Sequence, residues 1–294
     1  MKQIFKIPAV IANSMRRGFS ISSAFVVVFL ALALNSGAGV LVAPTIIFLS
    51  DKSRTGRMTV QNPTNQPKEI TIKFSFCLPK SDSLGNVSVR LIDSGVTDPH
   101  AAMDWIRAFP RKLTLPANGS QVIRFRGAPP ADLPDGEYWA RVVVRSEEGQ
   151  TILPNPTDNE AITTKLNMIM QTAIMLKYRK GEMTSQLDLN DVSVKIDSSM
   201  VTVLADMTNT GNCSYVGILN CRLLDARKRE VSARRVQLAV YYSLKRKIEL
   251  PIPADGDFEA PYTVDLFIST SGRTDIPSKD VVPGNEIQRS FAVR

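Results

Sequence analysis

TTKLNMIMQTAIMLKYR, residues 163–179, begins with a regular alternation. Successive side chains of a strand point to opposite faces, so Leu166, Met168 and Met170 share one face and Lys165, Asn167 and Ile169 the other. An apolar row built from Leu and Met is unusual. Met is unbranched and adaptable, and it suits a surface that fits several partners. Two readings stand. The stretch is an ordinary sandwich strand whose inward row is Leu166, Met168 and Met170, or an edge strand that offers this row to another chain. On the second reading the opposite row serves the protein's own core. Ile169→Asp is then expected to unfold the domain, whereas Met168→Asp is not.

Outward from this stretch, short extended runs recur, at 57–60, 68–76, 87–92, 121–126, 138–145, 191–196, 200–207 and 262–269. Turn signals separate them, including Asn62-Pro63, Asn118-Gly119, Pro134-Asp135-Gly136 and Thr210-Gly211-Asn212. Many short strands with polar turns read as all-β, two immunoglobulin-like β-sandwich domains in series. Helix signal is confined to residues 98–108, where Asp98 could cap and Pro99 stand first inside a short helix. The boundary between the sandwiches is expected at residues 180–183, which divides the chain into a leader (1–38), a first domain (39–181) and a second (182–294).

The leader reads as an export signal. Lys2, Lys6, Arg16 and Arg17 stand before ISSAFVVVFLALAL, residues 21–34, and Ser36-Gly37-Ala38 offers small residues for cleavage after Ala38. The apolar run is short for a membrane span, which needs about 20 residues. An uncleaved inner-membrane anchor is the alternative. The expected location is outside the cytoplasm. The four leader bases, with no leader acid, leave +4 of the formal +8 in the mature chain. That excess does not imply nucleic acid, and Arg222, Arg227, Lys228, Arg229, Arg234 and Arg235 carry no interleaved aromatics for base stacking.

Nothing in the sequence points to an enzyme. The one histidine, His100, sits in a loop and reads as a solvated residue. Nucleophile elbows, phosphate loops and metal-binding spacings are missing, so no cofactor and no metal is expected. Cys213 and Cys221 could pair if the chain turns between them. If 214–221 is one straight strand they stand about 25 Å apart at about 3.3 Å per residue, and a bond is excluded.

The run FPRKLTLPANGSQVIRFRGAPPADLPDGEYWARVVV, residues 109–144, resembles the first domain of periplasmic pilus-assembly (PapD-like) chaperones. The matching positions are Pro110, Leu113 or Leu115, Pro116 with Asn118-Gly119, the strand 122–125 with Arg124, Leu133-Pro134 and Tyr138-Trp139. Upstream, Pro44-Thr45 with 46–48 resembles the first strand and 59–62 the second, with its Asn. Downstream, Gln171-Thr172 and Tyr178-Arg179 resemble the end of the last strand. The resemblance covers about residues 40–179 and weakens after Gly181.

It implies a location in the periplasm and a chaperone that donates its last first-domain strand to an incomplete pilus or surface-fibre subunit, main-chain hydrogen bonds giving affinity and alternate side chains filling the client's groove. The implied partner-binding residues are Leu166, Met168 and Met170. An outer-membrane assembly platform is a further implied partner, and a self-dimer through the exposed strand is another. The family's cationic pair for the client's terminal carboxylate falls on Ile46 and Met175, so a client is expected to bind regardless of that charge. Lys177 and Arg179 are the candidate substitute bases. Arg179 matches the family's internal salt-bridge Arg, with Asp135 as its expected partner. The alternative function is a structural or adhesive envelope module of the same fold.

Overall fold

The computed structural model describes residues 39–148 and 168–293. The expected leader and Leu166 lie outside them. The chain runs through β1 (Leu41–Ala43), β2 (Ile46–Ser50), β3 (Thr55–Gln61), β4 (Lys68–Ser75), β5 (Pro79–Ser81), β6 (Val87–Val89), β7 (Ile106–Phe109), β8 (Lys112–Leu115), β9 (Ser120–Gly127), β10 (Gly136–Glu148) and β11 (Ile169–Lys180). It continues through β12 (Leu187–Asp197), β13 (Met200–Asn209), β14 (Tyr215–Leu224), β15 (Glu230–Val240), β16 (Ser243–Pro251), β17 (Thr263–Ser269) and β18 (Ile287–Ala292).

These strands form two immunoglobulin-like sandwiches. In the first, the four-stranded sheet β1-β3-β9-β7 faces the five-stranded sheet β2-β11-β10-β4-β8. Alternation in β3, β9 and β10 turns Met58, Val60, Ile123, Phe125, Val142 and Val144 inward, where they meet Ile47, Ile72 and Leu176 in one core. Fully burying a side chain such as Phe125 is worth about 1.5–3 kcal/mol. Asn62, fully buried, donates from Nδ2 to the carbonyls of Gln66 (2.7 Å) and Pro116 (3.0 Å) and accepts from the Thr64 amide (3.1 Å). It thereby ties two loops without leaving a polar group unpaired.

In the second sandwich, β12-β13-β16 faces β15-β14-β17-β18 around Val203, Tyr215, Leu219, Ile248 and Leu266. The chain passes from one pair of sheets to the other between β11 and β12, where Gly181 takes the left-handed φ of +66°. A smaller apolar cluster joins the two: Phe76, Trp139 and Met175 from the first sandwich pack with Tyr241 from the second.

Two sequence expectations are corrected here. Residues 98–108 form no helix. Asp98 Oδ1 does accept from the His100 amide (2.9 Å), but the chain then turns into β7, because Ile106 and Ala108 face the core while Arg107 and Phe109 face outward, a period of two. His100 is half-buried rather than solvated. It stacks on Trp139 with ring centroids 4.8 Å apart, and its Nδ1 bonds the Glu137 carbonyl at 2.8 Å.

The cysteines resolve in favour of the straight strand. Cys213 precedes β14 and Cys221 lies within it, and Cys77, Cys213 and Cys221 are all free and buried. Burial pushes the Cys213 thiol up to about 11 and the Cys221 thiol up to about 12. An Ellman-type assay at pH 8 should find no thiol in the folded protein and all three after denaturation. Stoichiometric reaction without denaturant would show that the cores open readily.

Candidate partner-binding edge and interdomain cleft

Strand β11 has two halves with different neighbours. Along its whole length it pairs antiparallel with β10, from Ile169↔Glu147 to Lys180↔Gly136. On its other side β2 runs parallel to it only from Met175↔Ile46 to Arg179↔Ser50. The last bond on that side is from the Met175 amide to the Thr45 carbonyl, at 3.2 Å. The reason is a crossover: before Pro44 the chain belongs to β1, which pairs with β3 in the opposite sheet. Among the described residues, 169–174 are therefore bonded on one side only. An unpaired strand edge is a template for a further strand.

The side chains at this edge are apolar and exposed. Ile174, Leu176 and Tyr178 point into the first core, and by the same alternation Met170 continues their row and Met168 extends it. Met168 is 46% exposed, Ile169 50% and Met170 38%. Here the expectation for Ile169 is corrected. It is not a core residue. It lies on the opposite face, in the row of Gln171, Ala173 and Met175, and β2 stops short of it, which leaves it half-exposed among the described residues.

Further along that opposite face, Ile46 and Met175 stand side by side, and they line a cavity of about 340 Å³ between the sandwiches. Tyr241, Val216 and Ala239 close it from the second sandwich. The cavity also holds Arg141, which the sequence reading missed. Arg141 is the β10 residue opposite Met175, so Arg141, Met175 and Ile46 form one row across three strands. Its signal was the alternation of β10, which puts Trp139, Arg141 and Val143 on one face. Among the described residues, the buried Arg141 Nε has no hydrogen-bond partner. The other cavity arginine, Arg273, is spoken for by Asp275, with Nε to Oδ1 at 2.7 Å and Nη2 to Oδ2 at 2.5 Å.

The candidate substitute bases are engaged by Glu137, although Lys177 also lines this cavity. Glu137, fully buried, accepts from Lys177 Nζ (2.8 Å) on Oε1 and from Arg179 Nε (2.9 Å) on Oε2. Trp139 Nε1 (2.8 Å) and Ser214 Oγ (2.6 Å) also donate to its Oε1. Arg179 thus pairs with Glu137 and not with the expected Asp135. The reason is the β10–β11 ladder, which sets Glu137 directly opposite Arg179, while Asp135 lies outside β10 and packs against Gly181. Arg179 Nη1 further donates to the Asp280 carbonyl (2.8 Å), so Ser214 and Asp280 of the second sandwich both join the cluster.

Burial opposes the charge on Glu137. Lys177, Arg179 and the hydrogen bonds outweigh it and hold the carboxyl at about 2. Burial pulls the Lys177 ammonium down, against the Glu137 charge beside it.

No family model matches the sequence, and no curated protein does. Solved structures are similar at a distance. The class 5 fimbriae chaperone CfaA is 13% identical over 87% of this chain and 99% of its own, with a TM-score of 0.41. The Pseudomonas aeruginosa CupB2 chaperone is 13% identical over 86% of this chain and 100% of its own, also with a TM-score of 0.41. The YadV chaperone is 13% identical over 86% and 99%, with a TM-score of 0.39.

Proposed function

We propose that the protein is a non-enzymatic periplasmic chaperone with domains at 39–181 and 182–294. It lends the open half of β11 to an exported client. One observation carries this reading: among the described residues, 169–174 are hydrogen-bonded on one side only, and this stretch with Met168 before it carries half-exposed Met168, Ile169 and Met170. Main-chain bonds to that edge would supply affinity, and Met168 and Met170, with Leu166 before them, would fill the client's groove. The client class, a pilus or surface-fibre subunit, rests on the sequence resemblance. Affinity purification of the tagged protein from its own periplasm tests it. A bound fibre subunit that is released on assembly is expected. Stable incorporation into surface material would favour a structural module, and a homodimer through β11 as the only complex would assign the edge to self-pairing.

The cleft adds a second contact. Ile46 and Met175 carry no charge, but Arg141 stands in their row with a buried Nε to satisfy. A client C-terminal carboxylate placed there would gain a charge-assisted bond worth about 1.5–3 kcal/mol. Amidating that terminus should weaken binding by roughly 10- to 150-fold, and Arg141→Met should do the same. The two losses should not add, because they remove one interaction. Isothermal titration of the four combinations checks this. Fully additive losses would place the carboxylate elsewhere.

A further inference from the structure

The segment between β4 and β7 leaves the first sandwich and reaches the second. Its base is fixed at the end of β4, where Phe76 and Ile92 exchange backbone bonds (2.9 and 2.8 Å) and Ser75 Oγ donates to the Ile92 carbonyl (3.1 Å). Its outer part is the hairpin β5–β6. The Asp82 carboxylate builds the turn, accepting from the amides of Leu84 (2.9 Å) and Asn86 (2.8 Å).

This hairpin lies on β16, the edge strand of its sheet. The Lys245 amide donates to Ser81 Oγ (2.8 Å) and the Lys247 amide to the Gly85 carbonyl (3.1 Å). Val87 packs against the second core. Gly85 takes φ +77°, and a Cβ there would run into Leu204 and the Lys247 nitrogen. The fit therefore requires glycine twice over. A further tie comes from the turn before β16: Tyr242 Oη donates to Asp98 Oδ1 at 2.8 Å.

The geometry points to residues 79–89 as a strap built into the chain, which closes the β16 edge and fixes the second sandwich against the first. The physical argument is that of two supports. The Glu137 cluster and the adjoining packing of Phe76, Trp139 and Met175 on Tyr241 join the sandwiches in one region, and contact in a single region leaves the parts far from it free to tilt. The strap supplies a separate joint, on β16. Together they hold the cavity between β10, β11 and the second sandwich at one width. The strap also removes an edge that would otherwise invite pairing with a second copy. This inference stands apart from the strand-lending reading, since it concerns contacts within one chain.

Two glycines in this segment separate docking from backbone strain. Gly95 has φ +70° with nothing near its would-be Cβ, so Gly95→Ala incurs the left-handed cost alone. Gly85→Ala incurs that cost and also pushes the hairpin off β16. Hydrogen exchange should show the Lys245 and Lys247 amides at least about tenfold faster in Gly85→Ala than in Gly95→Ala. Small-angle scattering should show a broader distance distribution only for Gly85→Ala. If Gly85→Ala does not fold, Ser81→Ala with Tyr242→Phe removes the side-chain ties without adding an atom, and the same changes, with the Lys245 amide leading, are expected. Unchanged exchange and scattering in Gly85→Ala, or in the double variant where Gly85→Ala does not fold, would overturn the strap.

Discussion

Glu137→Gln should cost about 3–5 kcal/mol of stability, the range for breaking one partner of a buried ion pair. The substitution keeps the shape and removes the charge that holds Lys177, which is 2% exposed, and Arg179. Two cations would then face each other in the interface with Ser214 and Trp139 as their neutral company. Urea unfolding of the single variants and of Glu137→Gln with Lys177→Met tests the coupling. The double variant should recover much of the loss, because no uncompensated ammonium remains buried. A loss below about 1 kcal/mol in the single variant would mean that water enters and solvates the cluster.

The same cluster sets an acid limit. The Glu137 carboxyl sits at about 2 in the folded protein, below its ordinary value of 4.5. Its folded value is depressed, so the stabilisation is present above pH 4.5 and is lost as pH falls toward 2. The difference amounts to about 3 kcal/mol by linkage. Glu137→Gln should flatten this part of the stability–pH curve.

Met168→Asp and Met170→Asp should abolish high-affinity client binding while the free protein keeps its fold. Both side chains are half-exposed, so a carboxylate there can turn to water until a client covers it. Burying an unpaired charge in the client's groove should cost several kcal/mol. Even about 2–4 kcal/mol is a loss of roughly 30- to 700-fold in affinity. Ile169→Asp should also stay folded, since Ile169 is half-exposed on the uncovered face. Its effect on binding should be the smaller, because its face looks away from the row of Met168 and Met170. Circular dichroism melts together with titration of a purified client separate the outcomes. If Met168→Asp or Met170→Asp melts as a destabilised protein with binding intact, the edge is structural and the client docks elsewhere.

The fold class was legible from local pattern. Strands β3, β4, β9, β10, β12 and β13 alternate or end at polar turns, and their sequences alone read as a sandwich. Others were not. In β14, YVGILNCRLL, buried residues run together instead of alternating, so no period marks the strand. In β15 and β16, Arg234, Arg235, Lys245 and Lys247 sit in exposed or partly exposed strand positions and mask the apolar row. Of the hairpin at 79–89 only the run 87–92 was read as extended, because nothing local says that a strand will leave its sheet and rest on another.

The candidate site divides the same way. The parity of Met168, Met170 and Met175 along β11 is a property of the sequence, fixed by the two-residue repeat of an extended chain. Which half of β11 is left open is not, for it depends on β1 crossing to the other sheet before Pro44. Arg141 enters the cleft because β10 lies beside β11 in a particular register, and Glu137 takes Arg179 from Asp135 for the same reason. Alternation is written in neighbouring residues, whereas register and crossover join residues far apart in the chain, and only the folded sheets bring those together.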